Sequence, residues 1–209
     1  LMPPCARLSI IGLGLLGSSV ARAVRAHMPG VTITGHDANP AHRETARAIQ
    51  LCDDVTDTAG AAVIDAELVI LCVPVGAMGD VAAEIAPDLP AGVIISAVGS
   101  SKASILTPPE GADAAKVTQL SAFWERLGAN IEIMDAAHHD LVLAITSHLP
   151  HLIAYTIVGT ASDLETVTQS EVIKYSAGGF RDFTRIAASD PTMWRDVFLS
   201  NKDAVLEML

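Results

Sequence analysis

The feature that most constrains this chain is a glycine-spaced turn between an apolar run and an alanine-rich one, Leu8-Ser-Ile-Ile-Gly12-Leu-Gly14-Leu15-Leu16-Gly17-Ser-Ser-Val-Ala. A G-x-G-x-x-G turn that leaves a strand and opens a helix is the context in which this spacing signals dinucleotide binding. Gly12 permits the tight turn, Gly14 lets a pyrophosphate approach the backbone, and Gly17 lets the helix pack closely on the strand. The N–H groups at the helix start, those of Leu15 and Leu16 among them, then face the diphosphate with the positive end of the helix dipole behind them.

The pattern continues as alternating strands and helices. Strands are predicted at 7–11, 31–37, 67–73, 92–97 and 129–134, and helices at about 15–27, 40–49, 76–86 and 112–126. Asp37 falls twenty residues after Gly17, where the motif places an acid that accepts hydrogen bonds from an adenosine ribose and repels a 2′-phosphate. NAD rather than NADP is therefore the expected cofactor, although His36, His42 and Arg43 stand close enough in sequence to soften the repulsion. Val73 and Pro74 close the third predicted strand at the end that would face the cofactor. The expected fold is α/β: a Rossmann-like doubly wound sheet over residues 1–134, followed by an all-helical domain over 135–209.

One connection breaks the rule. Only a few residues separate the strand ending at Ala97 from the strand-like Ile105-Leu106, whereas a parallel crossover needs about a dozen or more. Either the second segment is not a parallel neighbour of the first, or this chain lacks residues that such a sheet normally contains.

Composition narrows the function classes. A net charge of −11 disfavours nucleic acid and anionic membrane surfaces. Half of the residues are hydrophobic and mean hydropathy is +0.41, yet no uninterrupted apolar run approaches the ~18 residues of a membrane span. The surplus points to an oligomer interface. Cys5, Cys52 and Cys72 have neither disulfide-framework nor metal-ligand spacing, and no signal-type segment opens the sequence, so a reducing cytoplasm is expected and no metal is.

Two stretches of the helical part carry chemistry. In Thr146-Ser147-His148-Leu-Pro150-His151 the proline interrupts an apolar helix, removing the bond to the Thr146 carbonyl. Ser147 and His151 share a face, while His148 falls on the stripe of Leu141, Ile145 and Leu152. The alternative is a kinked core helix with hydrogen-bonded histidines. In Gly178-Gly179-Phe180-Arg181-Asp182-Phe183-Thr184-Arg185, followed by Asp190-Pro191 as a helix start and Trp194, the arginines suit a carboxylate. Here the alternative is surface pairing of Arg185 with Asp182 or Asp190.

Taken together, GLGLLG at 12–17, VGSSK at 98–102, ITSHLPH at 145–151 and GGFRDFTRIAASDPTMWRD at 178–196 resemble the prephenate/arogenate (cyclohexadienyl) dehydrogenase family of tyrosine biosynthesis. The resemblance implies NAD-dependent oxidative decarboxylation of prephenate or arogenate by an intertwined homodimer built on the helical domain. By residue match, Ser100 would position the catalytic histidine, Ser147 and His151 would contact substrate polar groups, Arg185 would hold a carboxylate, and Trp194 would reach the site. Two departures stand out. The family's His-Pro-x-x-Gly segment, whose histidine is the expected general base, has no counterpart, since the chain contains no His-Pro dipeptide. Ala97 also stands where the family often has Asp. A catalytically silent dinucleotide-binding regulatory protein is the alternative that the first departure raises. Another dehydrogenase with a helical second domain, such as a 3-hydroxyacid enzyme, leaves the last two motifs unexplained.

Overall fold

The computed structural model describes residues 3–98, 103–163, 171 and 178–209. The chain divides into two compact units, Leu1–Asp135 and Ala136–Leu209.

The first unit is built on a parallel sheet. Strands β1 (Arg7–Ile11), β2 (Thr32–His36), β3 (Asp54–Val55), β4 (Leu68–Leu71) and β5 (Ile94–Ala97) lie in the order β3-β2-β1-β4-β5. The central strands are apolar nearly throughout because both faces are covered. Leu8, Ile10, Leu68 and Ile70 join one buried cluster with Ala21 and Val24 of α1 (Leu15–His27). Ile11, Val69 and Leu71 join the cluster on the opposite face with Val63 of α3 (Ala59–Val63) and Ile85 of α4 (Met78–Ile85). Helix α2 (Pro40–Ala48) is started by Asn39, whose side chain accepts from the Ala41 N–H at 3.0 Å, with proline at the first position. Strand β3 and helix α3 were not predicted. Two paired residues are too few to form a β-rich run, and Ala59-Gly-Ala-Ala-Val63 is too short to establish a helical period.

The short connection after Ala97 leads into another sheet. Strand β6 (Ala103–Leu106) is not a neighbour of β5; it pairs in parallel with β7 (Asn130–Ile133) in a separate two-stranded sheet. The crossover between them is α5 (Ala114–Arg126), capped by Asp113 and ended by Gly128 at φ +88°. Phe123 and Trp124 of α5 meet edge to face at 5.2 Å within the first cluster.

The elements described in the second unit are all helices. Helix α6 (Ala136–Leu143) runs through a π-helical turn, Ala144–His148, into α7 (Leu149–Ser162); then come α8 (Gly178–Ala187), α9 (Pro191–Ser200) and α10 (Lys202–Glu207). The predicted kink at Pro150 takes the form of this wide turn, with the Leu149 N–H bonded five residues back to the Ala144 carbonyl. Widening the turn one residue ahead of proline accommodates a ring that cannot donate. Continuous over Ala136–Ser162, the rod is long and apolar enough to cross a membrane by length and composition only, with a mean hydropathy of 1.6 over 18 of its residues. The reading of uninterrupted apolar runs excluded this because His138, His139, Asp140, Ser147, His148 and His151 punctuate the segment. Ile145 and Ile153 are exposed on it.

Candidate active site

In the first unit the glycines assemble a cradle at the carboxyl ends of β1, β2 and β4, where the strand order reverses. Gly12 has φ +98°, and a Cβ there would stand 2.5 Å from the Cys72 carbonyl oxygen and 3.2 Å from Val73 Cγ1. The turn after β1 and the end of β4 thus touch through a missing side chain, which brings Val73 beside Gly12. A Cβ on Gly17 would collide with the Gly12 carbonyl oxygen, so the start of α1 sits directly on the turn. Gly14 differs: nothing lies within 4 Å of the space its Cβ would fill. No side chain caps α1 at Gly14, and its first residues, Leu15 and Leu16, are exposed. An open glycine at an uncapped helix N-terminus fits a diphosphate.

Asp37, just past β2, completes the cradle. Its Oδ2 accepts the Leu13 N–H at 2.7 Å, and its Oδ1 accepts the Asn39 N–H at 2.8 Å and faces His42 Nδ1 at 3.2 Å. Partial burial raises the Asp37 carboxyl, but these hydrogen bonds and His42 outweigh it and hold the group below its ordinary range. One turn N–H is therefore committed to Asp37, leaving those from Gly14 onward for an anion. His36 is a core residue, 7% exposed, with Nδ1 3.1 Å from the Thr56 carbonyl oxygen. Arg43 donates to the Asp37 backbone carbonyl at 2.8 Å and reaches Asp57 at 3.4 Å, so of the three neighbours only His42 faces the carboxylate. Pro74 is exposed beyond Val73. Ser100 lies outside the described residues.

In the second unit, the π-helical turn and α9 bring three predicted residues into one cluster. His151 Nδ1 lies 2.8 Å from the Ser147 carbonyl oxygen, an acceptor, so Nδ1 carries the proton and Nε2 keeps its lone pair. The His151 ring stacks on Trp194, centroids 3.6 Å apart and planes at 19°. Trp194 is 8% exposed, and its buried indole N–H has no acceptor among the described residues. An unpaired buried donor beside a histidine with a free ring nitrogen can receive an oxygen-bearing ligand. Asp190 starts α9 by accepting the Met193 N–H at 2.7 Å, which places Trp194 on its first turn. Tyr155 of α7 donates to the Ser189 carbonyl at 2.7 Å and ties α7 to the segment ahead of α9.

Arg185 lies on α8, which packs along α7. Neither Arg181 nor Arg185 is in an ion pair among the described residues, so the pairing with Asp182 or Asp190 is not formed. Both guanidinium groups are exposed and available to a carboxylate. Sequence reasoning missed Asn201, which is 8% exposed and bonded to His148. The signal was its position seven residues, about two turns, after Trp194 on an apolar helix.

A dinucleotide cradle followed by a helical unit with an imidazole–indole cluster defines a two-domain dehydrogenase architecture, and similarity gives the family. Residues 20–105 match the nucleotide-binding domain of prephenate dehydrogenase, and residues 135–209 match its dimerisation domain. The chain belongs to the prephenate dehydrogenase family. It is 42% identical to the cyclohexadienyl dehydrogenase of Zymomonas mobilis over 97% of this chain and 83% of that protein. It is 30% identical to the prephenate dehydrogenase of Bacillus subtilis over 95% of this chain and 65% of the relative. The crystal structure of Aquifex aeolicus prephenate dehydrogenase, in complex with hydroxyphenyl propionate and NAD⁺, superposes with a TM-score of 0.87 at 28% identity, covering 96% of this chain and 84% of the other. The Zymomonas alignment extends over 243 residues against 209 in this chain, so the relative carries residues with no counterpart here.

Proposed function

We propose that this protein is an NAD-dependent dehydrogenase that oxidatively decarboxylates prephenate, arogenate or both in tyrosine biosynthesis, working in the cytoplasm as a homodimer through its helical unit. The observation that carries this reading is the His151–Trp194 stack on the SHLPH turn, next to an unpaired indole N–H and on a helix flanked by the uncommitted Arg185. These groups suit an acidic, oxygen-rich small molecule.

Gly12, Gly14, Leu15, Leu16 and Gly17 would hold the diphosphate of NAD⁺, Asp37 its adenosine ribose, and Val73 and Pro74 would line the nicotinamide side. When bound, NAD⁺ supplies the hydride acceptor. Arg185 would bind a substrate carboxylate, and the Trp194 indole would donate to a substrate oxygen. Ser147 fixes the His151 ring through its backbone carbonyl, and His151 Nε2 would accept a hydrogen bond from a polar group of the substrate. Loss of the ring carboxylate as CO₂ yields an aromatic ring, which makes the step effectively irreversible. By the family resemblance, Ser100 of the VGSSK segment would position the catalytic histidine of that family near the nicotinamide. The apolar residues left exposed on the 136–162 rod fit a subunit interface in the family's dimerisation domain.

The test is NADH formation followed by absorbance, with prephenate and arogenate supplied separately. Formation with either supports the dehydrogenase and sets its preference. NAD⁺ binding without NADH from either substrate identifies the silent dinucleotide-binding form, the reading that the missing His-Pro segment favours.

A further inference from the structure

Asn201 stands at the junction of α9 and α10, its own N–H closing on the Val197 carbonyl. Its side chain reaches back to the rod. Nδ2 donates to the Asp140 carbonyl at 2.8 Å and to His148 Nδ1 at 3.0 Å. The Asp140 carbonyl can only accept, so the amide must present its NH₂ here, and that same group faces the imidazole. His148 Nδ1 is then the acceptor and its ring proton is on Nε2. His148 is 8% exposed and stands edge-on to Trp194, centroids 6.1 Å apart at 75°. Trp194 in turn carries the stacked His151 on another side and Phe198 at 5.5 Å. The indole is thus wedged between two imidazoles in one tautomer each: Nδ1–H for His151, Nε2–H for His148.

We propose that Asn201 is a positioning residue: donating to Asp140 and His148 together, it fixes His148 as the Nε2–H tautomer edge-on to Trp194 and so keeps Trp194 stacked on His151. The consequence for turnover rests on the proposed role of His151 and Trp194 at the substrate; the consequence for the rings does not.

Burial pushes His148 below its ordinary value; Asp140 opposes this, and His139 and His151 add to the lowering. Of the charged groups on the packed elements, Arg195 and Asp196 of α9 pair with each other at 2.7 Å, Lys202 and Asp203 of α10 do so at 3.9 Å, and Glu207 is exposed. A protonated His148 has no lone pair at Nδ1 and would lose the Asn201 bond.

The experiment uses the full chain with ¹⁵N-labelled histidine, reading the His148 tautomer by long-range ¹H–¹⁵N correlation. Emission of Trp194 is followed in the Trp124→Phe background, where it is the sole tryptophan. The wild type should show His148 neutral and Nε2-protonated at pH 7.5. In Asn201→Asp the carboxylate becomes an acceptor, so His148 should move its proton to Nδ1 and titrate about one unit or more higher. Trp194 emission should then report a loosened His151 stack, and KM for substrate should rise roughly tenfold with kcat changed less. Asn201→Ala should also release the stack and, because the bond that favours neutral His148 is gone, raise its titration by less than Asn201→Asp does. An Nδ1–H tautomer in the wild type overturns the proposal, as do variants that leave the tautomer and Trp194 emission unchanged. A wild type without turnover overturns the substrate reading instead, since both ring measurements proceed without substrate.

Discussion

The two units carry function in different parts of the polypeptide. In the first, the groups that matter are backbone atoms made accessible by absent side chains: Gly12, Gly14 and Gly17 shape a turn whose N–H groups and carbonyls do the positioning. In the second, side chains do it, each held by a hydrogen bond: His151 donates to the Ser147 carbonyl, and the Asn201 amide donates to His148 and to the Asp140 carbonyl. A site made of backbone tolerates no added atom where it is closed and any small one where it is open. A site made of side chains fails one hydrogen bond at a time.

The largest predicted effects contrast two positions of the same turn. Gly17→Ala places a methyl on the Gly12 carbonyl, so α1 must shift, and overpacking of this kind costs about 3 kcal/mol. Gly14→Ala meets nothing in the protein and should leave stability within about 0.5 kcal/mol. Yet it should weaken NAD⁺ binding, because its methyl enters the diphosphate space. Thermal melting with a parallel NAD⁺ titration checks both. Equal melting losses in the two variants would break the contrast between closed and open glycines.

Next in size is Arg185→Ala. Removing a charge-assisted contact to a carboxylate costs about 2 kcal/mol, or roughly thirtyfold. It should appear as a rise in KM for prephenate or arogenate, with little change in melting temperature because Arg185 has no ion-pair partner among the described residues. An unchanged KM with a lowered melting temperature would place Arg185 in the fold rather than in the site.

What was legible in the sequence follows the same division. The glycine spacing and Asp37 could be read because backbone geometry permits few residues: a φ of +98° and a carbonyl where a Cβ would sit both select glycine at position 12. Continuous apolar strands gave the parallel sheet for an equally restrictive reason, burial on both faces. In the helical unit, Ser147 and His151 could be placed on one face by period alone. The π-helical turn could not, because widening by one residue leaves no periodic trace over so short a span. Spacing puts Asn201 about two turns after Trp194, but its partners lie 61 and 53 residues away, a pairing that only the packed helices create.

A smaller effect belongs to His148. Its folded-state pKa lies below the unfolded value of about 6.5 because burial disfavours the cation. Its contribution is therefore fully present above that pH and is lost as pH falls toward the folded pKa, with a slope of at most about 1.4 kcal/mol per pH unit. Denaturant titrations at pH 7.5, 6.5 and 5.5 should show this slope in the wild type and lose it in His148→Gln. A slope that persists in the variant would assign the effect to another group.

The smallest effect tests whether the backbone-built unit also depends on one side chain. The Asp37 carboxyl is held below its usual value; burial opposes, but the Asn39 and Leu13 N–H groups and His42 prevail. Since the unfolded value is about 3.9, this contribution is complete above that pH and is lost as acid drives the group through its lower folded pKa. Asp37→Asn keeps the shape but replaces a carboxylate that bonds at both oxygens with an amide that can accept at one. The variant should be less stable by about 1 kcal/mol at pH 6, with the difference shrinking below pH 4. It should also discriminate less against NADP⁺, because the charge that repels a 2′-phosphate is gone while His42 remains 3.2 Å from the position that charge occupied. If the variant's NAD⁺ preference is unchanged, selectivity lies in the shape of the cradle, and the contrast between the two units becomes complete.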